Sequence, residues 1–173
     1  MVGLERHVVK LELYDPRWQD DYEKERIQLL KMLGDNICSL AHIGSTAIPG
    51  IHAKPIIDVV IGVRSIEMVP ELVELLKSLN YVYRGENGLP KRHFFRKTFG
   101  NVVTHHLHVV EEGSDYQRKH LFFRDHLRQN KEAAQEYDRL KIFLAKKFDC
   151  EREKYVEGKG EFIRGILLSY CVK

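Results

Sequence analysis

The spacing of apolar positions changes along the chain, and each change marks an element. Val8 to Leu13 reads as a short edge strand. Asp15-Pro16 then opens a helix with proline in its first turn, where a missing N–H costs nothing. The helix is predicted to run to about Leu33 and to end at Gly34-Asp35-Asn36. Ile37 to Ile43 predicts a strand, and Lys54 to Val63 a central one, because Ile56, Ile57, Val59, Val60 and Ile61 suit burial on both faces. Ser65 to Leu79 predicts a helix with Pro70 in its first turn and an apolar stripe at Leu72, Leu75, Leu76 and Leu79. Tyr81 to Arg84 is a strand ending in a turn over Gly85 to Gly88. Lys91 to Thr98 and Asn101 to Val110 form a predicted hairpin joined at Phe99-Gly100-Asn101.

The C-terminal third reads as helical. Ser114 and Gln117 have capping-box spacing and open a helix over about Asp115 to Arg128. Asn130 caps a second helix to about Phe148, and a third covers about Gly158 to Tyr170. Leu140, Phe143, Leu144 and Phe148 recur at helical spacing and are expected in the core. This order predicts an α+β (α/β mixed-sheet) fold, a small mixed β-sheet flanked by helices with a helical C-terminal third. A length of 173 residues is expected to make one domain over 1–173.

Composition narrows the partners. The 43% hydrophobic and 31% charged residues are ordinary for a globular protein. A net charge of +3 is too mild to argue for a nucleic-acid partner. Cys38, Cys150 and Cys171 are odd in number and scattered, with neither metal-ligand spacing nor a disulfide framework, which suggests a reducing cytoplasm. The N-terminus, with Glu5, Arg6, His7 and Lys10, is not patterned as a signal peptide, and no apolar run approaches the roughly 20 residues of a membrane span.

Asp58 interrupts the most apolar strand of the chain. An unpaired buried carboxylate is costly, so Asp58 is expected either in an ion pair with Lys54 or an arginine, or as a metal ligand or general base. Upstream, Gly44-Ser45-Thr46 follows a strand and offers backbone N–H groups and hydroxyls suited to phosphate oxygens. The intervening loop holds a Pro49-Gly50 turn and Lys54, a cation for that phosphate. In His105-His106-Leu107-His108, strand alternation places His106 and His108 on one face, as a metal pair or an acid–base pair, and His105 on the other. Arg92, Arg96, Arg124 and Arg128 are basic residues able to clamp an anion, with Arg92 and Arg124 expected as substrate contacts.

The segment from His42 to Asp58 closely resembles the signature of the GrpB family. So do His106 to Val109, Phe123 to Arg128, Tyr137 to Lys141, Tyr155 to Lys159 and Tyr14 to Trp18. The likeness runs from about Leu11 to the C-terminus. The GrpB family resembles the nucleotidyltransferase superfamily with DNA polymerase beta-like folds, and related domains are fused to dephospho-CoA kinase in some bacteria. The resemblance implies a bacterial cytoplasmic protein that binds a nucleotide or another phosphorylated small molecule. Gly44, Ser45, Thr46 and Lys54 would hold phosphate, with Arg92 and Arg124 outside them. Asp58, His106 and His108 would form the catalytic or metal centre, with Mg, Mn or Zn as the divalent ion. The superfamily's second carboxylate falls at Val60, which cannot bind metal. Two alternatives stay open: a metal-dependent phosphoester hydrolase using the same three residues, or a non-catalytic ligand- or protein-binding module.

Overall fold

The structure, a computed structural model, describes residues 2–5, 8–149 and 151–170. Cys150 and Cys171 lie outside them, and Cys38 is a free, exposed thiol. A mixed sheet is built from β1 (Leu4–Glu5), β2 (Ser39–Ile43), β3 (Ile57–Val63), β4 (Tyr81–Tyr83), β5 (His93–Phe99) and β6 (Val102–Glu111). Its order is β2-β3-β6-β5-β4, with β1 pairing with the start of β6. β3 and β6 run parallel and the other neighbours antiparallel. The helices are α1 (Arg17–Leu33), α2 (Val69–Lys77), α3 (Asp115–Gln129), α4 (Lys131–Lys147), α5 (Arg152–Glu157) and α6 (Gly160–Tyr170). The mixed α+β fold and its helical C-terminal third match the sequence expectation. Among the described residues, no helix is long and apolar enough to cross a membrane.

Strand alternation explains how the sheet sorts its side chains. Ile57, Val59, Ile61 and Val63 of β3 join Leu107 and Val109 of β6 and pack against Trp18, Leu29 and Leu33 of α1 and Leu72 and Leu76 of α2. The other face carries Asp58 and Val60 on β3 and His106 and His108 on β6. There Val60, Ile43 and Val110 pack against Tyr116 and Leu121 of α3. With both faces covered, β3 needs apolar residues at almost every position.

The C-terminal helices fold back over this second face. Leu127 of α3 and Ala134 and Tyr137 of α4 pack on Ile48 and Ile51 of the loop before β3, with Phe162 and Ile163 of α6 against them. Caps act as the sequence suggests at two helices. The Ser114 hydroxyl accepts from the Gln117 N–H and the Asn130 side chain from the Ala133 N–H. The Gln117 side chain, however, accepts from the Gly113 N–H at 2.6 Å, one residue earlier than a capping box requires.

Three expectations are corrected. Val8 to Leu13 is not an edge strand; its one ladder contact is a bridge from Glu12 to Ala53, and the N-terminal strand is Leu4–Glu5. Phe143 is 59% exposed, not core, whereas Leu144 on the adjoining position is buried. The short helix α5 carries no apolar period and buries one residue, Tyr155, so periodicity could not reveal it.

Candidate functional site

The parallel register sets Asp58 directly beside His106 on one face, and Val60 beside His108. Asp58 Oδ1 accepts from His106 Nδ1 at 2.9 Å, and His108 Nε2 stands 3.9 Å from the same oxygen. The Tyr116 phenol and the Arg92 guanidinium both donate to His108 Nδ1, at 2.8 and 3.2 Å. Nδ1 is therefore the bare nitrogen of a neutral His108, and the ring proton sits on Nε2 toward Asp58. Burial lowers His108 to about 4 despite the Asp58 charge. Burial works to raise the Asp58 carboxyl, but hydrogen bonds and charge from His106 and His108 outweigh it and hold the group well below the usual carboxylate range. The pair at neutral pH is thus a carboxylate donor-bonded by imidazole. His106 Nε2 is buried without a hydrogen-bond partner.

Gly44 closes the site from above. Its φ of 72° and ψ of −175° belong to a region open essentially to glycine alone. A Cβ there would lie 2.5 Å from Asp58 Oδ2. Gly44 and the acid of β3, separated in sequence from position 44 to position 58 and joined by one loop, are thus in direct contact. Ser45 to Ala47 continue as one 3-10 turn. Thr46 Oγ1 donates to the Ile56 carbonyl and bonds His42 Nε2 at 3.0 Å, so this hydroxyl is spent on the loop.

These groups line a cavity of about 420 Å³, the size of a small-molecule site. Gly44, Ser45, Thr46, Lys54, Asp58, Arg92, His106 and His108 all border it. Arg124 does not. Its Nη1 donates to the His42 carbonyl at 2.8 Å, and its Nε pairs with Asp125 at 2.7 Å. Arg128 Nε likewise donates to the Ala47 carbonyl at 2.8 Å. These two arginines bolt the Gly44 turn to α3. Arg92 borders the cavity, yet its Nη2 already donates to the carbonyls of Glu86 and Asn87. His42 leaves the site altogether and stacks on Tyr22 of α1, ring centres 4.5 Å apart. His105 lies on the same opposite face, beside the buried Lys97–Glu25 pair.

The sequence alone assigns no role to several lining residues: Tyr116 and His120 of α3, Tyr137 of α4, and Arg152, Tyr155 and Lys159 around α5. The i, i+4 spacing of Tyr155 and Lys159 was the available signal, but nothing in the sequence says which face a six-residue helix presents. Lys54 Nζ and Lys159 Nζ lie 5.1 and 4.6 Å from the centre of the Tyr155 ring. Burial, then the charges of Arg152 and Lys159, lower Lys54 to about 7. Burial and Arg152 lower Lys159 to about 8, against the pull of Asp58.

The donors do not fit the two-carboxylate metal centre of a nucleotidyltransferase. Val60 is fully buried between Ile43 and Val110, and Asp58 turns its Oδ1 to His106. Among the described residues, no group of three or more His, Cys, Asp or Glu side chains stands ready to hold a metal ion.

A mixed sheet with an Asp–His pair under a glycine turn, roofed by C-terminal helices that bring cations to a ligand-sized cavity, defines an α+β pocket domain. The chain belongs to the GrpB family, whose model, described as GrpB protein, matches residues 8–168. It is 42% identical over 156 residues to the UPF0157 protein YqkA of Bacillus subtilis, covering 90% of this chain but only 45% of YqkA. It is 34% identical over 171 residues to glutamate-rich protein GrpB of Alkalihalophilus pseudofirmus, covering 96% of this chain and 98% of that one. The chain therefore spans less than half of YqkA and nearly all of the second relative. The crystal structure of the conserved protein GrpB from Enterococcus faecalis superposes with a TM-score of 0.84 at 36% identity, over 91% of this chain and 94% of that chain.

Proposed function

We propose that the cavity takes a nucleotide or another phosphorylated small molecule, as a domain of the nucleotidyltransferase type. The observation that carries the reading is the contact between Gly44 and Asp58 at the edge of a cavity that Lys54 also borders. A glycine turn brings free N–H groups to an anion, and Lys54 adds charge. Asp58 and His106 then act as an acid–base pair. Asp58 holds the imidazole through its Nδ1–H and leaves His106 Nε2 free to accept a proton from a hydroxyl or water of the bound ligand. The donor set supports this role over a magnesium pair, because imidazole is a poor magnesium ligand and one carboxylate is missing.

Thermal melting of the purified protein tests the reading. The panel holds the four ribonucleoside triphosphates, CoA and dephospho-CoA, the last two chosen for the kinase link that the family resemblance implies. Each is run with and without Mg²⁺, Mn²⁺ or Zn²⁺, beside Asp58→Ala. A ligand at a hundred times its Kd stabilises the fold by about 2.7 kcal/mol. A shift that disappears in Asp58→Ala supports the assignment. A strictly metal-dependent shift replaces the acid–base role with a metal site, and no shift with any phosphorylated ligand rejects the reading.

A further inference from the structure

Three cations at the C-terminal side of the cavity lack a paired carboxylate among the described residues. Lys54, Arg152 and Lys159 all border it, each only partly open to solvent. Among the described residues, none of the three forms an ion pair. Two of them share one ring, that of Tyr155, at 5.1 and 4.6 Å from its centre, so their ammonium groups stand no further apart than the sum of those distances. Tyr155 itself is 2% exposed, so the ring is a fixed platform. A cation–π contact offsets only part of the desolvation of an ammonium group, and one ring serving two of them leaves their repulsion countered only by the charge of Asp58, with which neither forms an ion pair. The contrast within this chain is direct. Buried Lys97 has Glu25 at 2.7 Å, and buried Lys141 has Asp138 at 3.6 Å and the His52 carbonyl. The one carboxylate that borders the cavity, Asp58, is bonded to His106.

We propose that Lys54, Arg152 and Lys159 form a polyphosphate subsite that receives a diphosphate or longer phosphate chain. Three unpaired cations match the charge of a diphosphate group better than that of a single phosphate, which carries at most about two negative charges near neutral pH. A guanidinium and two ammonium groups supply both bidentate and point-charge contacts to bridging and terminal oxygens. The subsite rests on the reading of this cavity as a ligand site, and extends it from phosphorylated ligands in general to those with adjacent phosphates.

The test titrates the full chain with orthophosphate, pyrophosphate and tripolyphosphate, then with AMP, ADP and ATP, by calorimetry. The proteins are wild type, Arg152→Gln, Lys159→Gln and Ser45→Ala. Pyrophosphate and tripolyphosphate are expected to bind at least tenfold more tightly than orthophosphate. Arg152→Gln and Lys159→Gln are expected to erase that preference, to flatten the salt dependence, and to melt no lower than wild type without ligand, since each removes a repelling charge. Equal affinity for one and two phosphates overturns the subsite. So does an unchanged preference in both variants, or a marked loss of ligand-free stability, which would make the cations structural. Loss of all binding in Ser45→Ala with the preference intact elsewhere supports both readings. Absence of binding by every phosphate compound rejects the cavity reading itself, whereas nucleotide binding indifferent to Arg152 and Lys159 rejects the subsite alone. The inorganic chains and the nucleotides separate a site for phosphate alone from one that also holds the nucleoside.

Discussion

Gly44→Ala tests the geometry on which the site depends. The substitution has two costs. Its backbone conformation, φ 72° and ψ −175°, is strained for alanine by about 1–3 kcal/mol. The new methyl would also meet Asp58 Oδ2 at 2.5 Å, closer than real contacts allow. Either the turn lifts or the carboxylate moves and gives up its 2.9 Å bond to His106, a charged hydrogen bond worth about 1.5–3 kcal/mol. The combined loss of about 2.5–6 kcal/mol is a large share of a typical fold's stability. For a chain of this size it should lower Tm by roughly 5–24 °C. Gly50→Ala is the control. Its φ is 83° with nothing within 4 Å of the built Cβ, so it should show only the backbone cost, about 1–2 kcal/mol. The assay is paired thermal and urea denaturation, with imidazole NMR signals to follow His106. If Gly44→Ala and Gly50→Ala destabilise equally and the His106 signal is unmoved, the Gly44–Asp58 contact is wrong.

Four further outcomes are expected. Burial holds His42, His105 and His108 at about 4 against an ordinary 6.5, so below pH 6.5 the unfolded chain binds protons that the fold refuses. Stability is full above pH 6.5 and falls toward pH 4 by up to about 3 kcal/mol per ring; a urea midpoint constant from pH 7.5 to 5 would contradict this. Lys97→Met leaves Glu25 buried and unpaired at a cost of about 3–5 kcal/mol, and pairing it with Glu25→Leu should restore much of the loss in the same denaturation assay. Arg124→Ala removes the bond to the His42 carbonyl, worth about 1.5–3 kcal/mol, and amide exchange over residues 44–47 should accelerate; unchanged exchange would separate the arginine from the turn. Val60→Asp puts a carboxylate between Ile43 and Val110 and should lower stability by several kcal/mol. A well-folded Val60→Asp that binds divalent metal tightly would refute that packing.

The sequence makes the centre of the site legible because the relevant geometry is local or set by strand alternation. The i, i+2 spacing puts His106 and His108 on one face, and a single short loop ties Gly44 to the strand of Asp58. What it cannot give is the parallel register of β3 and β6, which places Asp58 beside His106 and not one residue away. The same limit explains Arg124. A guanidinium in a basic motif reads as an anion contact until tertiary packing supplies a nearer acceptor, here the His42 carbonyl. Boundaries drifted where tertiary contacts override pattern: Ile37 to Ile43 keeps only Ser39–Ile43, and Lys54 to Val63 only Ile57–Val63, as strand. The short α5 stayed invisible because its role is to seat Tyr155, not to present an apolar stripe.

The two faces of the sheet show why burial of charge alone does not identify a site. The α1 face holds Glu25, Lys97, Tyr81 and His105, a cluster at least as buried as the cavity. There Glu25 accepts from both Lys97 and Tyr81, at 2.7 to 3.0 Å. Glu25, Lys97 and Tyr81 are matched to one another, with only His105 Nε2 left without a hydrogen-bond partner, so the ion pair needs nothing from outside, and its removal should be felt in stability alone. On the opposite face the acid is matched by its histidines, but Lys54, Arg152 and Lys159 are left over. A fold selected only for stability gains nothing from three neighbouring cations at a cavity wall, since replacing any of them relieves repulsion. The proposed polyphosphate subsite accounts for their presence at one cavity with a glycine turn, because an anion arriving from solution would balance them.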